Sequence, residues 1–186
     1  MNQLILHPRD IHASPAPGVL LDALAEIAFI GTPFDYQGHT HYRPGEDFLE
    51  LITFLGCSPV VSLGEPGLTG DDFCHISVLP ELREATLLHG SNVKPPRCPH
   101  CRHPHADWRE MLAAWQQQLT DYLHECPNCA QQTPPHRLKW RQSAGMLRSG
   151  IAVWGIYEGE AVPSERLLDT LKDCGDGPWG YFYRSE

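Results

Sequence analysis

The chain has 186 residues, is 41% hydrophobic and 20% charged, and carries a formal net charge of −9. That is the composition of a globular protein of one ordinary domain, or of one domain with a small insertion. It argues against a membrane-spanning helix, because the longest apolar stretch, 18–31, is broken by Asp22 and Glu26, and against nucleic-acid binding by the surface as a whole, which needs a positive footprint.

In chain order, residues 3–7 predict a short opening strand. Residues 17–30 predict an amphipathic helix with Leu20, Leu24, Ile27 and Ala28 inward and Gly31 to stop it. A second helix is expected over 45–55, entered at Pro44, with Phe48, Leu51, Ile52 and Leu55 as its buried stripe and Gly56 at its end. Two strands follow, a Val-rich one over 58–63 and one over 72–79, in which Phe73, His75 and Ser77 alternate with Cys74, Ile76 and Val78. Toward the C-terminus, 150–157 is apolar enough for a central strand covered on both faces. A helix over 162–174 turns Leu167, Leu168, Leu171 and Cys174 inward, and 179–183 is an aromatic strand. A strand-helix-strand end cannot bury its apolar surface alone, so residues 142–186 are expected to pack with residues 1–93 in a single α+β body.

Between these two parts lies the segment 94–141. It contains two Cys-Pro-x-Cys pairs, Cys98 with Cys101 and Cys126 with Cys129, separated by 24 residues. Two residues between cysteines make a tight turn that aims both sulfurs at one ion, and a second such turn closes the tetrahedron. The intervening residues predict a helix over 107–119, since Trp108, Met111, Leu112, Trp115 and Leu119 recur on one face, with Asp107 and Glu110 spaced as a capping box. Residues 119–125 then run extended into the second pair. Residues 137–143 are expected to leave as a partner strand, Leu138 and Trp140 on one face and Arg137, Lys139 and Arg141 on the other.

With these knuckles the segment resembles a zinc ribbon, in which two Cys-Pro-x-Cys turns on β-hairpins clamp one zinc. The resemblance covers about a quarter of the chain and implies one structural Zn2+ on Cys98, Cys101, Cys126 and Cys129. Two features depart from the pattern: the position after each second cysteine, commonly glycine, is Arg102 and Ala130 here, and the helix between the knuckles is extra. Iron in a rubredoxin-like site uses the same ligand set, which spacing leaves open.

Disulfides and redox chemistry are the competing readings. The N-terminal residues lack the basic region and apolar run of a secretory signal, so a cytoplasmic location with reduced thiols is expected, and seven cysteines leave one odd. Cys98-Pro-His-Cys101 has the four letters of a thioredoxin-superfamily active site, but that chemistry needs a helix starting on the first cysteine. Pro95, Pro96 and Pro104 move the expected helix start well beyond it.

Charge is unevenly divided. Residues 94–141 hold seven basic and four acidic residues, whereas residues 1–93 hold three and twelve. The basic stripe Arg137, Lys139 and Arg141 offers a local contact to nucleic acid, which a solvated face explains more simply. Other candidate ligands are His39 and His41, which project to one side of an extended segment, and Cys57, Cys74 and His75, which two strands could bring together. Core packing accounts more simply for Cys57, Cys74 and Cys174. His100, His103, His105 and His124 lie near the thiols and suit outer-shell roles. No phosphate-binding glycine loop, Gly-x-Ser-x-Gly or His-Glu-x-x-His occurs, so no catalytic residue is assigned. A zinc-stapled module that contacts a protein partner is the expectation; a thiol or iron redox protein and a histidine-based hydrolase are the alternatives.

Overall fold

The computed structural model describes residues 1–56, 61–63, 73–117, 122–175 and 177–186. Along the chain these form β1 (Asn2–Pro8), α1 (Pro17–Glu26), β2 (Ile30–Tyr36), β3 (His39–Pro44), the single turn α2 (Phe48–Leu51) and β4 (Ile52–Phe54). Next come β5 (His75–Val78), β6 (Thr86–His89), α3 (Trp108–Gln117), β7 (His124–Glu125) and β8 (Gln132–Thr133). The chain ends with β9 (Ala144–Leu147), β10 (Ile151–Trp154), β11 (Ala161–Pro163), α4 (Glu165–Asp173) and β12 (Trp179–Ser185). The class is α+β.

Six strands make one antiparallel sheet in the order β12-β1-β10-β5-β3-β2. Because side chains alternate across a strand, each face collects its own core. Leu4, Leu6, Ile76, Ile151, Val153 and Tyr183 share one face with Leu20 and Leu24 of α1 and Leu167 and Leu171 of α4. The opposite face offers Ile5, Ala152 and Phe182, which the β6–β9 hairpin covers with Leu88 and Leu147. That hairpin lies close to the sheet because position 145 is glycine: a Cβ there would stand 2.6 Å from the Phe182 ring.

The same hairpin is the stem from which residues 94–141 emerge. A third core joins Trp108, Met111 and Trp115 of α3 to Leu138 and Trp140, and continues into Met146 of β9 and Ile11 of the body. Trp108 and Trp140 meet edge to face with ring centroids 5.5 Å apart, the arrangement aromatic quadrupoles favour. Lys94 pairs with Glu158 at the start of the segment.

Several expected elements take a different form. The helix expected over 45–55 is only one turn, after which Ile52, Thr53 and Phe54 pair with Pro163, Val162 and Ala161. Those residues have strand propensity, and a waiting partner outweighs the helical stripe, leaving Leu55 62% exposed. The same pairing shortens the helix expected from 162, which starts at Glu165 with the Ser164 hydroxyl accepting from the Leu167 N–H. The helix expected over 17–30 ends at Glu26 in a Schellman turn: Phe29 N–H donates to the Leu24 carbonyl, Ala28 N–H to that of Ala25, and Ala28 takes φ 51°. Gly31 consequently lies in β2 rather than closing a helix. Strand β5 is shorter than the 72–79 expected. The segment expected as a strand over 137–143 is a 3-10 turn, Pro135–Arg137, followed by one bridge between Lys139 and Arg97, and Arg141 and Gln142 in left-handed conformation end any pairing. Its alternation of faces nevertheless holds, with Leu138 and Trp140 buried and Arg137, Lys139 and Arg141 exposed. The β2–β3 hairpin, turned at Gln37 and Gly38 with φ of 53° and 78°, was not among the expected elements. The first half of the strand expected over 58–63 lies outside the described residues, as do the last two residues of the helix expected over 107–119, and residues 61–63 are described without strand pairing.

Candidate metal centre

The two knuckles are built alike. In the first, Arg102 N–H donates to the Cys98 carbonyl (3.0 Å) and Cys98 N–H to that of His103 (2.9 Å). In the second, Ala130 N–H donates to Cys126 (2.8 Å) and Cys126 N–H to Gln131 (3.0 Å). Closing this turn requires the residue after the second cysteine to adopt positive φ, and Arg102 (63°) and Ala130 (54°) do so without being glycine. The second knuckle caps the β7–β8 hairpin, and the first is held by a bridge between Arg97 and Pro104. Residue 97 also pairs with Lys139, so the first knuckle is tied to the strip carrying Leu138 and Trp140.

This scaffold brings Cys98, Cys101, Cys126 and Cys129 together, all four Sγ atoms within 4.8 Å of one another. Across the knuckles, Cys98 and Cys129 stand 3.8 Å apart and Cys101 and Cys126 3.6 Å. A tetrahedral ion with metal–sulfur bonds of 2.3 Å separates its sulfurs by about 3.8 Å, so the donor set has the size such an ion needs. The first cysteine of each pair is buried and the second half-buried, which makes the cluster nearly two-fold symmetric.

The backbone also stabilises negative sulfur. The His103 N–H and then the Asn128 side chain lower the Cys101 thiol to about 6. At Cys129 the Gln131 N–H pulls the same way, but burial and the protons held among the neighbouring thiols drive it up to about 12. Four sulfurs this close cannot all ionise unless a cation neutralises them, and a divalent ion would leave about −2 on the cluster. No helix starts on Cys98; α3 begins at Trp108, so the helix N-terminus that activates thioredoxin-type cysteines is elsewhere.

The other candidate ligands fall into a different arrangement. His41 and His75 do meet, ring centroids 4.9 Å apart, but inside a cage of Phe34, Tyr36, Phe73 and Trp154. The His75 Nδ1–H donates to the Phe73 carbonyl (2.9 Å), and its ring lies nearly parallel to Trp154. Burial lowers its pKa to about 4, so it is neutral at pH 7. His39 is exposed, and among the described residues no third ligand joins His41 and His75. Cys74 is a core residue whose thiol burial pushes up to about 12, and Cys57 lies outside the described residues. Cys174 donates from its thiol to the Thr170 carbonyl (3.4 Å) at the end of α4.

A second group was not assembled from the sequence. His105, Asp107 and His124 place one ligand atom each within 4.8 Å of the other two. The available signal was His-x-Asp directly before a helix, with a further histidine ahead of the second knuckle.

Comparison with protein-family models, curated proteins and solved structures finds no match to this chain. The site therefore stands on its geometry: a four-cysteine cluster fit to bind a metal ion. Among the described residues no helix is long and apolar enough to cross a membrane.

Proposed function

We propose that Cys98, Cys101, Cys126 and Cys129 hold one structural Zn2+ in a zinc-ribbon-like module, residues 94–141, inserted into the body formed by 1–93 and 142–186. The observation that carries this reading is the convergence of four sulfurs at tetrahedral spacing. A four-thiolate ion has no open position for substrate, which separates it from zinc sites that keep a coordinated water. The role is cytoplasmic and non-catalytic, and the module's task is to contact another protein. Its exposed Arg137, Lys139 and Arg141 offer a basic strip on an otherwise acidic molecule, suited to an acidic protein surface. Nucleic acid is the less favoured occupant, because the acidic body would repel phosphate around so small a footprint.

Metal analysis with thiol titration tests the first half. Zinc in the preparation with four thiols protected until a chelator is added is the expected result; a red, iron-containing preparation would replace zinc by iron, and a reversible disulfide would replace both by redox chemistry. The second half is tested by reversing the charge of Arg137, Lys139 and Arg141 together. Zinc should stay bound while capture of the protein partner is lost, and undiminished capture would remove the strip from the interface.

A further inference from the structure

The geometry points to a second metal site in the same module, formed by His105, Asp107 and His124, that binds a divalent first-row ion of the zinc class through two imidazoles and one carboxylate. The inference does not rest on the structural role proposed for the sulfur site.

The three ligands arrive from three pieces of chain that the knuckles themselves arrange. His105 follows the first knuckle and is fixed by its backbone N–H, which donates to the Pro96 carbonyl (2.9 Å). Asp107 stands at the entrance to α3. His124 opens β7, the strand that feeds the second knuckle. Bringing the two cysteine pairs together thus also brings the two histidines together.

His124 Nε2 and His105 Nδ1 are 3.1 Å apart. Two imidazole nitrogens on one tetrahedral ion, each about 2.0–2.1 Å from it, are separated by about 3.3–3.4 Å, within a few tenths of an ångström of that spacing. A hydrogen bond between two neutral rings explains the 3.1 Å equally well, but it leaves Asp107 unexplained. The Asp107 residue occupies the N-cap position of α3, where its carboxylate would ordinarily accept from the first-turn N–H groups. Glu110 and Met111 donate to its main-chain carbonyl, as at any helix start, but among the described residues no first-turn N–H is bonded to the carboxylate. The capping box expected from Asp107 and Glu110 is therefore not formed. The carboxylate lies within 4.8 Å of both ring nitrogens, and His105 is only 2% exposed. An ion shared by the three accounts for a buried imidazole, its histidine neighbour and an uncapped carboxylate at once.

Two nitrogens and one oxygen favour zinc-class ions over calcium or magnesium, which take oxygen ligands. Three protein ligands also leave a position for water, so this site, unlike the four-sulfur one, is open to an exogenous ligand.

Cobalt(II) titration of the full-length protein tests the proposal, because the two donor sets differ in spectrum. The first equivalent should produce thiolate-to-cobalt charge-transfer absorption; a second should add only weak ligand-field absorption, with bound metal reaching two ions per chain. Asp107→Asn and His124→Ala, which alter exposed and half-buried side chains, should each reduce saturation from two ions to one and leave the charge-transfer band intact. Tryptophan fluorescence from Trp108 and Trp140 checks that the variants fold. Saturation of the native protein at one ion per chain would reduce the group to a hydrogen-bonded histidine pair. Two ions per chain in both variants would equally overturn it.

Discussion

The molecule concentrates metal-binding side chain types in two regions, and they behave oppositely. In the module, four sulfurs converge and two of them, those of Cys101 and Cys129, receive backbone hydrogen bonds that favour negative charge. In the body, His41 and His75 are pressed between aromatic rings, and burial lowers the pKa of each. The His41 Nδ1 and His75 Nε2 atoms are buried without a hydrogen bond. Residue type is the same kind of clue in both places. What differs is whether the backbone aims lone pairs at a common point or packs rings face to face, and the latter makes a core rather than a chelate.

The largest expected effect follows from the structural zinc proposed for residues 94–141. Structural zinc contributes an apparent 10–16 kcal/mol to small modules, roughly, and 94–141 has little core of its own beyond the residues it shares with Ile11, Ala144 and Met146. Chelation, or Cys126→Ser, should therefore unfold the module and expose Trp108, Trp115 and Trp140, seen as a red-shifted, weakened fluorescence. The sheet of the body should persist in far-UV circular dichroism; simultaneous loss of both would mean that the two regions are one cooperative unit. The converse perturbation is Phe182→Ala in the core between the sheet and the β6–β9 hairpin. Truncating a buried Phe costs about 3–5 kcal/mol, and Phe182 is 1% exposed. Denaturant melts should show the loss in the body while the four cysteine thiols stay protected by their ion.

The legible parts of the fold were those where local pattern and tertiary partner agree. The apolar run expected as a strand over 150–157 and the stripe Trp108, Met111, Trp115 need little outside help to be read; the stripe is found on α3, and the strand is found shortened to Ile151–Trp154. Residues 52–54 and 161–163 were misread because their strand identity comes from each other across more than a hundred residues, information absent from either segment alone. Residues 30–44 hid a hairpin because its turn uses Gln37 where Asn or Asp is the usual signal. The sulfur ligands were legible because Cys-x-x-Cys encodes its own turn. By contrast His105, Asp107 and His124 depend on the folded module to meet, and the His-x-Asp before α3 does not by itself say that His124 joins it.

Acid titration of the metal-free protein isolates the response of the body. Both His7 and His75 have pKa values lowered from 6.5 to about 4, in each case chiefly by burial. The folded state then binds fewer protons than the unfolded state between those limits. Stability is fully present above about pH 6.5 and is lost as pH falls toward 4, by on the order of 2 kcal/mol for a buried histidine. Measured in the metal-free protein, where sulfur protonation releases no ion, the body's unfolding free energy should decline over this window. His75→Phe, which keeps a flat ring in the cage, should make the decline shallower, and an unchanged slope would place the linkage elsewhere.

The smallest effect concerns the knuckles. Ala130 and Arg102 hold φ of 54° and 63°, a region that costs an L-residue roughly 1–2 kcal/mol relative to glycine. Part of that gain is offset because glycine also makes the unfolded chain more flexible. Ala130→Gly should accordingly stabilise the module by no more than about 1 kcal/mol, read as slower zinc transfer to a competing chelator. Ala130→Val should act the other way, since a β-branched side chain fits left-handed backbone worst. Equal chelator kinetics for Gly, Ala and Val at position 130 would show that the turn is set by the ion and not by the backbone preference of the residue that closes it.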